Sequence, residues 1–262
     1  MLTIITISSL LSLTHGEALL AGQEAKTTDQ NAANSVMPYS SFIAKYLELT
    51  HLKHALKNVD FRSKIKCAKK DQDGWTALHM AASYGHLGVV NMLLACGADT
   101  DAKTNNGSTP FLEACTNGHL TIAKLLHAEG CDWKETNNLE WSPLKMAALF
   151  GHYDVVEFLI SIGADVDQQD INGYSALSAS ATRGHLEIVQ LLLTSGATID
   201  LRNNKGRTPF FAACKNNRLP VAKLLYEQGC DWQTASNGKS PLKKATELGH
   251  TEIVSFLKSI GA

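Results

Sequence analysis

The stretch GWTALHMAA runs from Gly74 to Ala82, and 33 residues later, from Gly107, the chain reads GSTPFLEAC. EWSPLKMAA from Glu140, GYSALSASA from Gly173 and GRTPFFAAC from Gly206 follow at the same spacing, and GKSPLKKAT from Gly238 follows after 32. A fixed period of this size is the mark of one small unit stacked on copies of itself, because no unit buries its own apolar face. The residue missing before the sixth copy falls in the connection near residues 235–237.

Each copy is punctuated as two short helices. Thr76, Thr109, Ser142, Ser175, Thr208 and Ser240 are N-cap types, and proline follows four of them at the first helical position, where its missing N–H costs nothing. Gly85, Gly118, Gly151, Gly184 and Gly249, each followed by His, end the first helix in a left-handed residue; Asn217 takes that place in the fifth copy. The second helix carries an apolar face, such as Val155, Val156, Phe158, Leu159 and Ile162, and stops at another glycine, from Gly97 to Gly261. Asp73-Gly74 and Asn105 to Gly107 are hairpin-turn signals in the return segments.

This pattern resembles the ankyrin-repeat family, whose period is 33 and whose signature is T-P-L-H-x-A. The resemblance covers Gly74 to Ala262 and implies an all-α solenoid of stacked helix-turn-helix units with β-hairpin fingers along one edge. Six repeats are expected over residues 74–106, 107–139, 140–172, 173–205, 206–237 and 238–262. A longer period of 99 overlies them: Cys115 matches Cys214, Cys131 matches Cys230 and Trp133 matches Trp232, as if a triplet had been duplicated. Thr251 and Lys258 bring polarity to the last second helix and suggest a capped end.

Upstream, residues 38–73 suit a helical cap or degenerate repeat, and residues 1–37 a disordered start. The apolar run Met1 to Leu13 raises a secreted alternative, with residues 1–16 as a signal peptide, although the first Lys or Arg is Lys26. Otherwise a cytoplasmic monomer is expected. Lys53 to Lys70 holds seven Lys or Arg against Asp60 alone, which fits the solvated face of a cap or a site for an acidic partner. With 24 Lys+Arg against 25 Asp+Glu, there is no global field to attract nucleic acid. No apolar run reaches the ~18 residues that a transmembrane helix needs.

Candidate chemistry is sparse. His86, His119, His152, His185 and His250 recur at one position per repeat, too far apart to share a metal, and are expected to bond backbone near the inter-helix turn. His79 resembles the family's structural histidine. Cys115, Cys131, Cys214 and Cys230 sit where small apolar residues are wanted and are expected as buried thiols; intra-repeat disulfides are the alternative in a secreted chain. No catalytic residues, metal ligands or cofactor are expected, because the repeats consume the chain.

The resemblance implies a non-enzymatic interaction module that binds a protein partner on its concave face. The variable positions there, around G-x-T and before the G-H glycine, hold Trp75, Tyr84, Trp141, Phe150, Tyr174, Arg183 and Arg207. Aromatic residues and arginine dominate binding energy at interfaces. The alternative is an inhibitor or adaptor subunit acting in a complex through the basic N-terminal cap.

Overall fold

The computed structural model describes residues 68–236 and 238–262. The expected disordered or signal-like start, nearly all of the helical cap and most of the basic stretch lie outside the described residues. Within them are twelve helices in six pairs: α1 (Ala77–Ser83) and α2 (Leu87–Ala95), α3 (Pro110–Thr116) and α4 (Leu120–Ala128), α5 (Pro143–Phe150) and α6 (Tyr153–Ser161). The second half repeats the scheme with α7 (Ala176–Arg183) and α8 (Leu186–Thr194), α9 (Pro209–Lys215) and α10 (Leu219–Glu227), α11 (Pro241–Glu247) and α12 (Thr251–Ser259). First helices pack on first helices and second on second, so the array is all-α and two helices deep. No described helix is long and apolar enough to cross a membrane.

Local chemistry sets the boundaries. All six predicted caps are extended residues whose hydroxyl accepts a backbone N–H three residues on, as Thr109 does from Leu112 at 3.2 Å. Helices of seven to nine residues are marginal alone. Burial between repeats holds them: Leu78, Phe111, Leu144, Leu177 and Phe210 interleave with the Val, Ile and Leu of the second helices in one continuous core. The sixth repeat closes that core poorly on its outer side. Leu242, in register with buried Leu144 and Leu177, is only partly covered, and Lys258 is exposed where Ile160, Leu193 and Tyr226 are partly buried. Thr251 says less about capping than its sequence suggests, because Leu87, Tyr153 and Leu186 at the same place are exposed too.

The described connections are tight turns, each closed by a backbone bond such as Asp170 N–H to Tyr174 O (3.1 Å), with one isolated antiparallel bridge, Ser236 with Lys239, and no longer strand pairing among the described residues. The reason is local: Asn137, Asp170 and Asn203 each use Oδ1 to accept the backbone N–H groups two and four residues on, which satisfies the turn without a strand partner. Successive turns are tied by single backbone bonds, from Asn105 N–H to Asp73 O (2.9 Å), Asn138 to Asn106 (2.9 Å), Ile171 to Leu139 (3.4 Å) and Asn204 to Asn172 (3.0 Å).

The recurring histidines tie each repeat to the one before. Nε2–H of His119, His152, His185 and His250 donates to the carbonyls of Ser83, Thr116, Leu149 and Lys215 at 2.9–3.1 Å. Arg218 substitutes with Nε–H to Thr182 O at 3.2 Å. At Gly151 the glycine is needed twice over: its φ is 86°, and a Cβ there would lie 2.7 Å from the His185 ring. Asn217 reaches the left-handed region at φ 56°, and so does Glu140 at φ 57° in a finger turn where other repeats carry glycine.

Candidate functional site

The first helices and finger turns form one face of the stack, and six of the seven residues expected there belong to repeats one, three and four. Trp141 starts from the third finger turn, where its backbone N–H is held by Asn137 Oδ1 at 3.0 Å. Its ring is half-buried because the Lys145 ammonium lies 4.6 Å from the ring centroid. That lysine, in register with His79, is 7% exposed in its side chain and pairs at 2.5 Å with Asp170 (2% exposed) in the following finger turn. Burial lowers the Lys145 pKa, and Asp170 offsets only part of that shift. Asp170 in turn accepts Tyr174 N–H at 2.9 Å, so Trp141 and Tyr174 are positioned by the two ends of one buried ion pair.

The same two repeats, and the finger tip before them, also expose apolar residues. Phe150, at the end of α5, is 49% exposed, and Leu139 and Ile171, at consecutive finger tips, are 41% and 45% exposed. Ile171 is the residue that sequence reading missed. Asn105, Asn138 and Asn204 occupy the same register in the other fingers, and each donates Nδ2–H across to the preceding finger at 2.9–3.0 Å. Isoleucine cannot make that bond, and the adjoining backbone bond is the longest of its series. The signal was present in the aligned copies but became readable only once the asparagine side chains had partners.

Of the other expected residues, Trp75 is half-buried, with its ring tilted against His79 at 5.8 Å, and Tyr84 is 47% exposed and stacked on His86. Both belong to the first repeat, and the polar second repeat, with Ser108 and Asn117 in register, separates them from Trp141 and Phe150. Arg183 is exposed at the end of α7, next along the stack from Phe150. Arg207 is half-buried, its guanidinium 5.8 Å from the Phe211 ring and its Nε–H donating to Ser236 Oγ at 3.3 Å.

The remaining polar groups serve packing. His79 is fully buried, accepting Thr76 N–H at Nδ1 and donating from Nε2 to Ser108 O at 2.9 Å; burial lowers its pKa and keeps it neutral. Cys115, Cys131, Cys214 and Cys230 are buried free thiols, and Cys67 lies outside the described residues. Burial pushes Cys131 and Cys230 up to about 12, so they are protonated and unreactive at neutral pH. Trp133 and Trp232 pack partly buried against the core beneath the fingers.

Comparison with known proteins agrees with this architecture. A family model described as ankyrin repeats (3 copies) matches residues 17–137, 88–170, 111–203, 144–236 and 177–262. A 45-residue stretch is 47% identical to the 2-5A-dependent ribonuclease of Mus musculus, covering 17% of this chain and 6% of that protein. A 42-residue stretch is 40% identical to protein phosphatase 1 regulatory subunit 27 of Mus musculus, covering 16% of this chain and 27% of that protein. The chain thus matches only a small part of either relative's length.

Proposed function

The chain belongs to the ankyrin-repeat family, whose repeats are protein-interaction modules, and on that premise we propose that it binds a protein partner, without catalysis, on the concave face centred on the third and fourth repeats. The observation that carries this reading is Ile171. An exposed isoleucine stands where asparagine brackets neighbouring fingers, its N–H on the carbonyl of exposed Leu139 at 3.4 Å, in the same two repeats as exposed Phe150 and half-buried Trp141 and Tyr174. It forfeits a hydrogen bond and leaves apolar surface in water, which folding alone does not favour; contiguous exposed apolar surface marks interaction sites.

Ile171→Asn separates a binding role from a structural one. The restored bracket should leave the melting temperature unchanged or higher, while affinity for a partner isolated with the intact chain falls at least tenfold on the usual scale of an apolar anchor. Phe150→Ala, at an even more exposed position, should act in the same direction. Normal binding by both variants places the site elsewhere. The short likeness to a phosphatase regulatory subunit supports a second reading, an adaptor or inhibitor subunit within a complex; co-purification in a stoichiometric complex with an enzyme favours it.

A further inference from the structure

The 99-residue duplication supplies an internal control for the face. Packing positions are kept between the two triplets: Cys115 and Cys214 are both fully buried, Cys131 and Cys230 are both buried, and Asp101 and Asp200 accept the N–H of Asp132 and Asp231 in the same way. Face positions are kept in part, as at Asn117 and Asn216, but several change in charge. Asn106, Ser108 and Thr116 of the second repeat correspond to Lys205, Arg207 and Lys215 of the fifth; Trp141 and Met146 of the third correspond to Lys239 and Lys244 of the sixth. Five positions that pack without charge in one triplet carry cations in the other, so the fold does not require those charges.

The cations lie close together: Ser236 Oγ accepts Arg207 Nε–H at 3.3 Å and donates to Lys205 O at 2.9 Å, and Ser236 is bridged through the backbone to Lys239. Partial burial, and then the like charges of Arg207, Lys244 and Lys205, lower the Lys215 pKa. Glu247 pairs with Lys239 at 2.8 Å and with Lys244 at 3.3 Å. Lys205, Arg207 and Lys215 have no carboxylate within ion-pair distance among the described residues. Concentrating like charge on one face destabilises the free protein slightly, and complementary charge on a partner reverses that cost.

We propose that the fourth to sixth repeats bind an acidic, extended segment of the partner polypeptide, running on from an apolar anchor seated by Trp141, Phe150 and Ile171. The proposal rests on the reading of the face given under Proposed function and adds the partner's chemistry. A polypeptide fits better than a nucleic acid for two reasons. The uncompensated cations among the described first helices and fingers of these repeats are Lys205, Arg207, Lys215, Lys243 and Arg183, fewer than the roughly six to ten phosphate contacts typical of salt-dependent nucleic-acid binding. Glu140 at the third finger and Glu113 on α3 oppose an unbroken polyanion passing along the face, whereas a chain that changes from apolar to acidic avoids them.

The test is selection of a phage-displayed random 16-residue peptide library on the immobilised full-length chain, with affinities then measured by fluorescence anisotropy on synthetic peptides. Enriched peptides should pair one or two large apolar residues with at least a threefold excess of Asp and Glu over the input library. Raising NaCl from 50 to 500 mM should weaken them about tenfold, because exposed charge pairs are screened. Arg207→Ser with Lys215→Thr installs the residues of the second repeat, which the same packing already tolerates; this variant should keep its melting temperature and lose the acidic preference. Enrichment without acidic bias, but sensitive to Ile171→Asn, overturns this proposal and leaves the interaction face standing. Absence of enriched peptides, or binding indifferent to both variants, overturns both. A single-stranded 16-nucleotide RNA that binds as tightly as the best peptide, and is lost in the Arg207/Lys215 variant, replaces the acidic segment with a polyanion.

Discussion

Lys145 and Asp170 make the sharpest energetic prediction, because the chain contains its own alternative to them. At the preceding interface the same two positions are Leu112, which is buried, and Asn137, whose Oδ1 makes the two turn bonds that Asp170 makes. Lys145→Ala leaves the Asp170 carboxylate 2% exposed without its counter-ion, although the Asn172 and Tyr174 N–H bonds at 2.9 Å remain. Breaking one side of a buried pair costs about 3–5 kcal/mol, and those residual bonds favour the lower end. Asp170→Asn keeps the turn but strands a buried ammonium against Trp141, a loss of about 2–3 kcal/mol after the cation–π attraction that remains. Lys145→Leu with Asp170→Asn recreates the second-to-third repeat interface and should fall within about 1 kcal/mol of the parent, giving a coupling of several kcal/mol in a urea-denaturation cycle. The folded-state pKa of Lys145 lies below 10.5, so the unfolded chain binds more protons between the two values. Stability contributed at this site therefore rises with pH across that window, and the slope vanishes in the double variant. Single variants that each cost under 1 kcal/mol, or a double variant whose cost is their sum, would refute the reasoning.

Gly151→Ala should destabilise by about 2 kcal/mol or more, since it forces a left-handed residue and drives a Cβ into the His185 ring, whereas Gly88→Ala, in α2 with open space around it, should stabilise by about 0.5–1 kcal/mol; opposite shifts in denaturation midpoint check the pair. Glu140→Gly should raise stability by up to about 1 kcal/mol by relieving φ 57°, and an unchanged or lower midpoint counts against strain there. His79 has its pKa lowered by burial, so it contributes stability that is present above 6.5 and lost as pH falls through the window below that value. In His79→Leu, which installs the residue that Leu112 supplies one repeat on, that part of the acid sensitivity of unfolding should disappear; an identical pH profile would show that protonation of His79 is not coupled to unfolding.

Much of this architecture is legible in the sequence because its determinants are local. A hydroxyl cap with proline after it, or a glycine ahead of histidine, needs no distant partner to declare a helix end, and the 33-residue phase supplies the stacking. Bonds across repeats were not legible to the same degree. Lys145 and Asp170 are 25 residues apart, and neither is unusual for a surface residue until the fold buries both. The turn at Asn105 to Gly107 was legible, closed by Thr104 N–H to Ser108 O at 3.0 Å, but the use of Asn137, Asp170 and Asn203 side-chain oxygens to hold N–H groups within the fingers was not. Exposed aromatics were readable as a class but not individually, since Trp75 and Trp141 spend half of their surface on His79 and Lys145, while Tyr84 and Phe150 do not.

The two triplets explain why the face is the informative part of such a chain. Each interior position answers to its neighbours above and below, so duplication preserves it: a thiol that fits under one helix fits under its copy. A face position has no packing neighbour to satisfy and drifts unless something outside the chain constrains it. Drift alone would scatter polar residues. It does not readily put exposed Leu139 and Ile171 on adjoining finger tips, with exposed Phe150 in the same repeats, and Lys205, Arg207 and Lys215 just beyond, because exposed apolar area and unrelieved like charge both work against the free protein. The departures from packing economy thus fall on adjacent repeats, in an order that a partner with an apolar end and an acidic continuation would match.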